Sequence, residues 1–169
     1  MSADHDPEAQ PPPTIPDRYR THFAAHLALY RSDPDRAHMW DSSVIGVPGP
    51  VATLMLTTTG RKSGEPRSVT LQYFRTEGKV ILAGTQGGAP TDPFWVLNLR
   101  ANPDCEVHIG GFHAMAVARV AEGAERERLW RHASTEQPRY QAYQARTERV
   151  IPVVVLDFVA AAHDFGIAR

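Results

Sequence analysis

"VATLMLTTTGRKSGEPRSVTLQYF", residues 51–74, sets two apolar, β-branched runs on either side of a turn bracketed by Gly60 and Gly64. Such residues suit pleated strands, and the glycine bracket suits the loop of a hairpin. The pattern predicts strands over 51–59 and 68–75. A third run, 80–85, follows across Thr76-Glu77-Gly78-Lys79. The tip of the first turn carries Arg61 and Lys62, with Arg67 one step into the returning strand, in a chain whose net charge is only -1. Those cations are either solvated or turned toward something anionic.

Working outward, "GGAPTDPFWVLNLRANP" (residues 87–103) predicts a helix with Asp92 as N-cap and Pro93 at its first position, ending before Asn102-Pro103. Runs 105–109 and 112–120 read as a second hairpin through Gly110-Gly111. Charged helices are expected over about 124–133 and 138–149. Residues 151–158 are almost continuously apolar, which predicts a strand buried on both faces. Upstream, 1–16 (MSADHDPEAQPPPTIP) is acidic and proline-rich, the composition of a disordered tail. A helix begins at Asp17, with Tyr19, Phe23, Leu27 and Tyr30 on one face and Arg18, Arg20 and Arg31 around it. That helix docks on its own barrel, rests on anionic lipid or gates a site. The expected organisation is a tail (1–16), an N-terminal helix and linker (17–49) and a barrel domain (50–169). About six mostly antiparallel strands with short helices between them make a mainly β, α+β chain, and hairpins around one core favour a small barrel.

The bulk numbers narrow the function classes. A chain of 169 residues is one domain, large enough to bury roughly 70% of its unfolded surface. No apolar run reaches the roughly 18 residues of a membrane span, and no basic-then-apolar leader opens the chain. The single cysteine, Cys105, excludes an internal disulfide and fits a reducing cytoplasm. Near-neutral charge, without aromatics interleaved among the cations, argues against nucleic acid as a partner.

Three stretches are candidates for chemistry. Gly60-Arg-Lys-Ser-Gly64 is not a phosphate loop of the Walker type, since no helix follows. Its backbone N–H groups and the donors of Arg61, Lys62, Ser63 and Arg67 nevertheless suit an anion. Three charge-assisted bonds at about 1.5–3 kcal/mol each give roughly 5–9 kcal/mol before association entropy, whereas micromolar binding needs about 8. A ligand held there therefore also needs an apolar portion buried elsewhere. Gln86-Gly87-Gly88-Ala89 offers a side-chain-poor loop for a planar ring or phosphate, followed by Pro93, Trp95, Asn98 and Leu99 on the next helix. Trp95 is equally readable as core, and Asn102 as a cap. Tyr140 and Tyr143, three apart in "PRYQAYQART", line a pocket or pack in the core.

No metal site is expected. His22 and His26 have helical spacing without a third ligand, and His108 and His113 flank a hairpin where they would pair across strands. Ser42, Ser43 and Cys105 lack a base, and the carboxylates form no dyad. A hydride-transfer enzyme needs no such set, because its cofactor carries the reactive atom.

Together, "TTTGRKSGEPRSVTLQYF", "VILAGTQGGAPTDPFWVLNLRANPDCEV" and "YQAYQARTERVIPVVVLDF" resemble the deazaflavin-dependent nitroreductase family of actinobacteria, in order over about residues 50–158. The resemblance implies a split β-barrel like that of FMN-binding proteins, and a hydride passed from reduced coenzyme F-420 to a quinone, enone or nitroaromatic. It also implies that Arg61, Lys62 and Arg67 hold the phosphate and oligoglutamate tail, with Ser63 at the same tip. The Gln86–Ala89 loop, Pro93, Trp95, Asn98 and Leu99 would form the coenzyme groove, and Tyr140 and Tyr143 would border the acceptor. Gln137 stands where well-known nitroreductases have a tyrosine before the proline, which weighs against nitroimidazole reduction. FMN on the same barrel is the rival cofactor. A non-catalytic ligand- or nucleic-acid-binding barrel is the rival class. A homodimer, and peripheral contact with the inner face of the membrane through the N-terminal helix, complete the expectations.

Overall fold

The computed structural model describes residues 16–159. The expected tail over 1–16 therefore lies outside the described residues, apart from its last position. Helix α1 (Asp17–Ser32) is followed by the short α2 (Pro34–His38) and the two-residue β1 (Met39–Trp40). The sheet is then built from β2 (Val51–Thr59), β3 (Pro66–Gln72), β4 (Phe74–Thr76) and β5 (Lys79–Ala83). After α3 (Phe94–Ala101) come β6 (Asp104–Ile109) and β7 (Phe112–Val120), helices α4 (Gly123–Glu136) and α5 (Arg139–Ala145), and β8 (Val153–Phe158).

Every strand pair is antiparallel, in the order β1-β2-β6-β7-β8-β5-β4, with β3 on the free side of β2. Strands β3 and β4 are one run bent at Tyr73, whose N–H bonds to Ala52 O at 3.2 Å. The bend joins the two ends of the sheet and curls it into a barrel. The expected single strand over 68–75 is therefore two segments, because a curling sheet must break its ladder somewhere.

Strand β8 explains its uninterrupted apolar sequence by alternation. Val154 and Leu156 point into the barrel with Leu54, Leu56, Val107 and Ala118. Val153 and Val155 point outward under α4 and α5, against Leu129, Trp130 and Tyr140. Each fully buried aliphatic side chain stabilises by about 1.5–3 kcal/mol. Polar residues at these β8 positions would therefore disrupt one layer or the other. Helix α3 plugs one end of the barrel with Trp95, Val96 and Leu99.

Helix α1 lies against the outside of the barrel. Its inward side comprises the buried His26 and Tyr30 with the partly buried Phe23 and Leu27. Tyr30 donates to Thr53 O at 2.6 Å and accepts from Gly110 N at 3.3 Å, tying the helix to β2 and to the turn between β6 and β7. His26 Nε2 lies 2.9 Å from Ala37 O, and its ring stacks on Trp40 at 4.8 Å.

Two expectations at helix ends differ. Asp92 does not cap α3, whose N-cap is Pro93. Its carboxylate is held between Arg149, at 2.8 Å, and Arg100. Two guanidinium partners outweigh one backbone N–H. The last charged helix stops at Ala145 rather than running to 149, which turns Arg149 back toward the loop after β5.

Candidate functional site

The first hairpin tip is a closed turn. Gly60 N donates to Glu65 O at 2.8 Å, Gly64 N donates to Gly60 O at 2.8 Å, and Gly64 sits at φ +73°. A Cβ on Gly60 would come within 2.6 Å of Ser63 Oγ and 3.1 Å of Glu65 O, so a larger residue there would have to displace the Ser63 hydroxyl. The buried Asn98 of α3 fastens this tip. Its Oδ1 accepts from Arg61 N at 3.1 Å and from the Arg61 guanidinium at 3.3 Å, and its Nδ2 donates to Thr58 Oγ1 at 3.1 Å. Arg61 also lies 5.8 Å over the Phe94 ring.

The loop after β5 is held from behind. A short 3₁₀ turn spans Gln86–Gly88, with Gln86 at φ +41°, Gly87 at +62° and Gly88 at +82°. A non-glycine residue in the left-handed region is a strained feature of the kind that clusters at functional loops. A Cβ on Gly88 would stand 2.5 Å from Tyr143 O, so loop and α5 touch backbone to backbone. Arg149 reaches four acceptors: Ala89 O at 2.7 Å, Thr85 O at 2.9 Å, Gly84 O at 3.1 Å and Asp92 Oδ1 at 2.8 Å. Burial lowers the pKa of this guanidinium, against the Asp92 carboxylate that raises it. Arg149 is a positioning residue that reasoning from the sequence did not single out.

Between the tip, this loop, α3, α5 and α1 lies an open cavity of about 1530 Å³. Eight predicted residues line it: Arg67, Gln86, Gly87, Gly88, Pro93, Trp95, Asn98 and Tyr143. Ala89 and Leu99 are buried behind the lining, and Arg61 is drawn to its edge through Asn98 and Phe94. Lys62 and Ser63 are exposed at the tip, outside the lining, and Ser63 Oγ accepts from Glu65 N at 3.2 Å.

Tyr140 and Tyr143 part company. Their rings stand 6.1 Å apart, but Tyr143 faces the cavity while Tyr140 packs on Phe74 and Trp130 in the core. Burial raises the Tyr140 phenol above its ordinary pKa, which makes it a poorer acid. Tyr140 borders a smaller cavity of about 180 Å³ with His26, Trp40 and Gln72. The buried Gln137 donates to Gln72 Oε1 there, at 3.1 Å. Phe23, Ile45 and Val47 line both cavities. Cys105 is buried in the barrel, its thiol pushed up to about 12 by desolvation, which makes it inert as a nucleophile at neutral pH.

The lining has a feature the sequence reading missed. It includes Arg18, Arg67, Arg139 and Arg146, and no aspartate or glutamate. A chain of net charge -1 thus concentrates four cations around one cleft. Arg146 donates to Gly87 O at 3.3 Å and lies 5.5 Å over the Tyr143 ring, and Arg139 donates to Gly46 O at 2.7 Å. Flat or apolar wall comes from Tyr19 and Phe23 of α1, Val69 and Leu71 of β3, and Phe94 and Trp95 of α3, with Thr58, Ser68, Thr70 and Thr85 as neutral polar lining.

A curled antiparallel barrel whose cleft is cationic on its flanks, apolar within and backed by a glycine loop has the form of a split-barrel oxidoreductase of the flavin and deazaflavin class. Residues 29–157 match the family described as F420H(2)-dependent quinone reductase, and the chain belongs to that family. It is 37% identical over 136 residues to an F420H(2)-dependent quinone reductase of Mycobacterium tuberculosis, covering 78% of this chain and 86% of that protein. A putative counterpart from Mycobacterium bovis matches with the same identity and coverage. Among solved structures, an F420-H2 dependent reductase (FDR-A) is 39% identical with a TM-score of 0.57, covering 62% of this chain and 93% of that one. A second, described as a domain-swapped dimer, is 31% identical with a TM-score of 0.60, covering 82% and 99%. The family makes this chain an oxidoreductase with reduced F-420 as its electron donor.

Proposed function

We propose that the 1530 Å³ cavity binds reduced F-420 and a quinone together, with the coenzyme's anionic tail among the arginines and its ring system against the Gln86–Gly88 loop. The observation that carries this reading is the pairing of four lining arginines and no carboxylate with a loop that has no room for a Cβ at Gly88. Drug-sized ligands occupy about 300–1,000 Å³, so this volume suits a tailed coenzyme plus an acceptor.

When bound, the coenzyme supplies a hydride for a two-electron acceptor. The chain's own residues orient and shield. Arg67 and Arg146, with Arg61 held ready by Asn98, bind phosphate and carboxylate groups through charge-assisted hydrogen bonds. Backbone groups of Gln86 to Gly88 and the Trp95 side chain flank the ring. Tyr143 walls the acceptor side, with Tyr140 as its packed support, and Tyr19 and Phe23 exclude water from above. Rate then comes chiefly from near-attack geometry rather than from an acid–base pair.

In this reading α1 serves the cavity rather than a lipid surface, since Tyr19 and Phe23 line the cleft and Tyr30 bonds to the sheet. Among the described residues no helix is long and apolar enough to cross a membrane. The domain-swapped relative supports assembly of two copies.

The test is reduced F-420 with menadione, following the return of the oxidised coenzyme's visible absorbance. Turnover above the protein-free rate is expected. Arg67→Ala and Arg146→Ala should raise the coenzyme KM, most strongly at low ionic strength, where screening is least. Absence of turnover, or variants indistinguishable from the parent at low salt, would overturn the assignment.

A further inference from the structure

On the outer face of the second hairpin the fold assembles a group that the sequence left scattered. Glu106 and His108 are two apart on β6 and so share a face. The register sets His108 directly opposite His113 on β7. The two imidazoles stack at 4.1 Å with 4° between their planes, and His113 Nε2 lies 2.5 Å from Glu106 Oε1. One ligand atom from each of the three residues lies within 4.8 Å of the others. His108 Nδ1 is buried without a hydrogen-bond partner.

We propose that Glu106, His108 and His113 form a site for a late first-row divalent cation such as Zn²⁺, separate from the coenzyme cavity, whose lining includes none of the three. Two imidazoles and one carboxylate are a donor set for such ions, and three protein ligands leave a fourth position for water. Bonds of about 2.1 Å at tetrahedral angles place ligand atoms about 3.4 Å apart. From 4.8 Å, cation binding requires the stacked imidazoles to turn about their side-chain torsions and converge.

The backbone is also fixed in advance. The two-residue turn between the strands is pinned by Gly111 N to Asp35 Oδ1 at 2.7 Å and by Gly110 N to Tyr30 Oη at 3.3 Å. An unpartnered ring nitrogen at this place has a use once a cation sits beside it.

The test is competition between untagged protein and a chromophoric chelator for Zn²⁺ near neutral pH, with Co²⁺ absorption as a second readout. One Zn²⁺ per chain is expected. His113→Ala and Glu106→Gln should weaken it by more than about tenfold, the loss that even an outer-sphere partner's removal can bring. His132→Ala, which removes another surface His–Glu pair (2.7 Å), should not. The visible bands of tetrahedral Co²⁺ should appear in the parent and be absent from His113→Ala. His113 is exposed, so its variant is expected to fold, and an unchanged circular dichroism spectrum confirms that. A parent that binds no Zn²⁺, or His113→Ala and His132→Ala of equal affinity, would overturn the proposal.

Discussion

Replacing Arg149 by leucine removes the clamp behind the loop after β5, where the proposed function places the coenzyme. Four acceptors within 3.1 Å lose their donor at once: three carbonyl oxygens and one Asp92 oxygen. Both charged side chains are nearly shielded from water, at 13% and 12% exposure, so solvent screening discounts little. Asp92 keeps Arg100 as a partner, which limits the penalty. Breaking a shielded ion pair costs about 3–5 kcal/mol. For a domain of this size each kcal/mol moves the melting midpoint by about 2–4 °C, so a fall of roughly 6–20 °C is expected. Arg149→Lys should recover only part of it, because an ammonium cannot present the planar fork that meets several acceptors together. Scanning calorimetry measures the midpoint, and fluorescence titration with F-420 measures affinity in the cold, where both variants are folded. Affinity should fall with the clamp, since Gly87 and Gly88 lose the frame that orients them. A leucine variant with the parent's midpoint and coenzyme affinity would refute the reasoning.

Two further outcomes follow from the same geometry. Gly88→Ala drives a methyl against Tyr143 O at 2.5 Å from a residue at φ +82°, so coenzyme binding should weaken and stability should fall by about 1–3 kcal/mol, whereas Gly87→Ala, in open space, should do less. Equal coenzyme titrations for the two variants would contradict this. His26 is buried, and desolvation holds its pKa below the ordinary value. The unfolded chain therefore takes up a proton first as pH falls below about 6.5, and the stability present above that value is lost on acidification. Melting midpoints against pH should fall less steeply below neutrality in His26→Gln than in the parent. Identical slopes would show that His26 does not titrate on unfolding.

Much of the barrel was legible because its signals are local. β2 occupies the predicted residues 51–59 and β7 the predicted 112–120, and the continuous apolar run of β8 meant what it implied, two buried faces. The bend at Tyr73 was not legible, since an aromatic flanked by Gln72 and Phe74 looks like more strand and only closure of the sheet demands a break. At the site, residues adjacent in sequence were found and residues brought together by packing were not. Arg149, Arg146 and Arg139 look like ordinary surface charges until α5 folds over the Gln86–Ala89 loop. Tyr140 and Tyr143 have the same helical spacing, yet one fills the core and the other a wall, which periodicity cannot separate. Asn98 carried a weak signal: an amide amid the apolar residues of a plug helix needs a reason to be buried, and its bonds to Arg61 and Thr58 supply it.

Because Asn98 ties the cationic tip to the helix that bears Trp95, the two ends of the proposed coenzyme site are held at a spacing set by the fold. The cleft acts as a ruler. In the proposed binding mode a carrier with a shorter arm than F-420 would reach one end or the other but not both, so selection between carriers would reside in spacing rather than in any single contact.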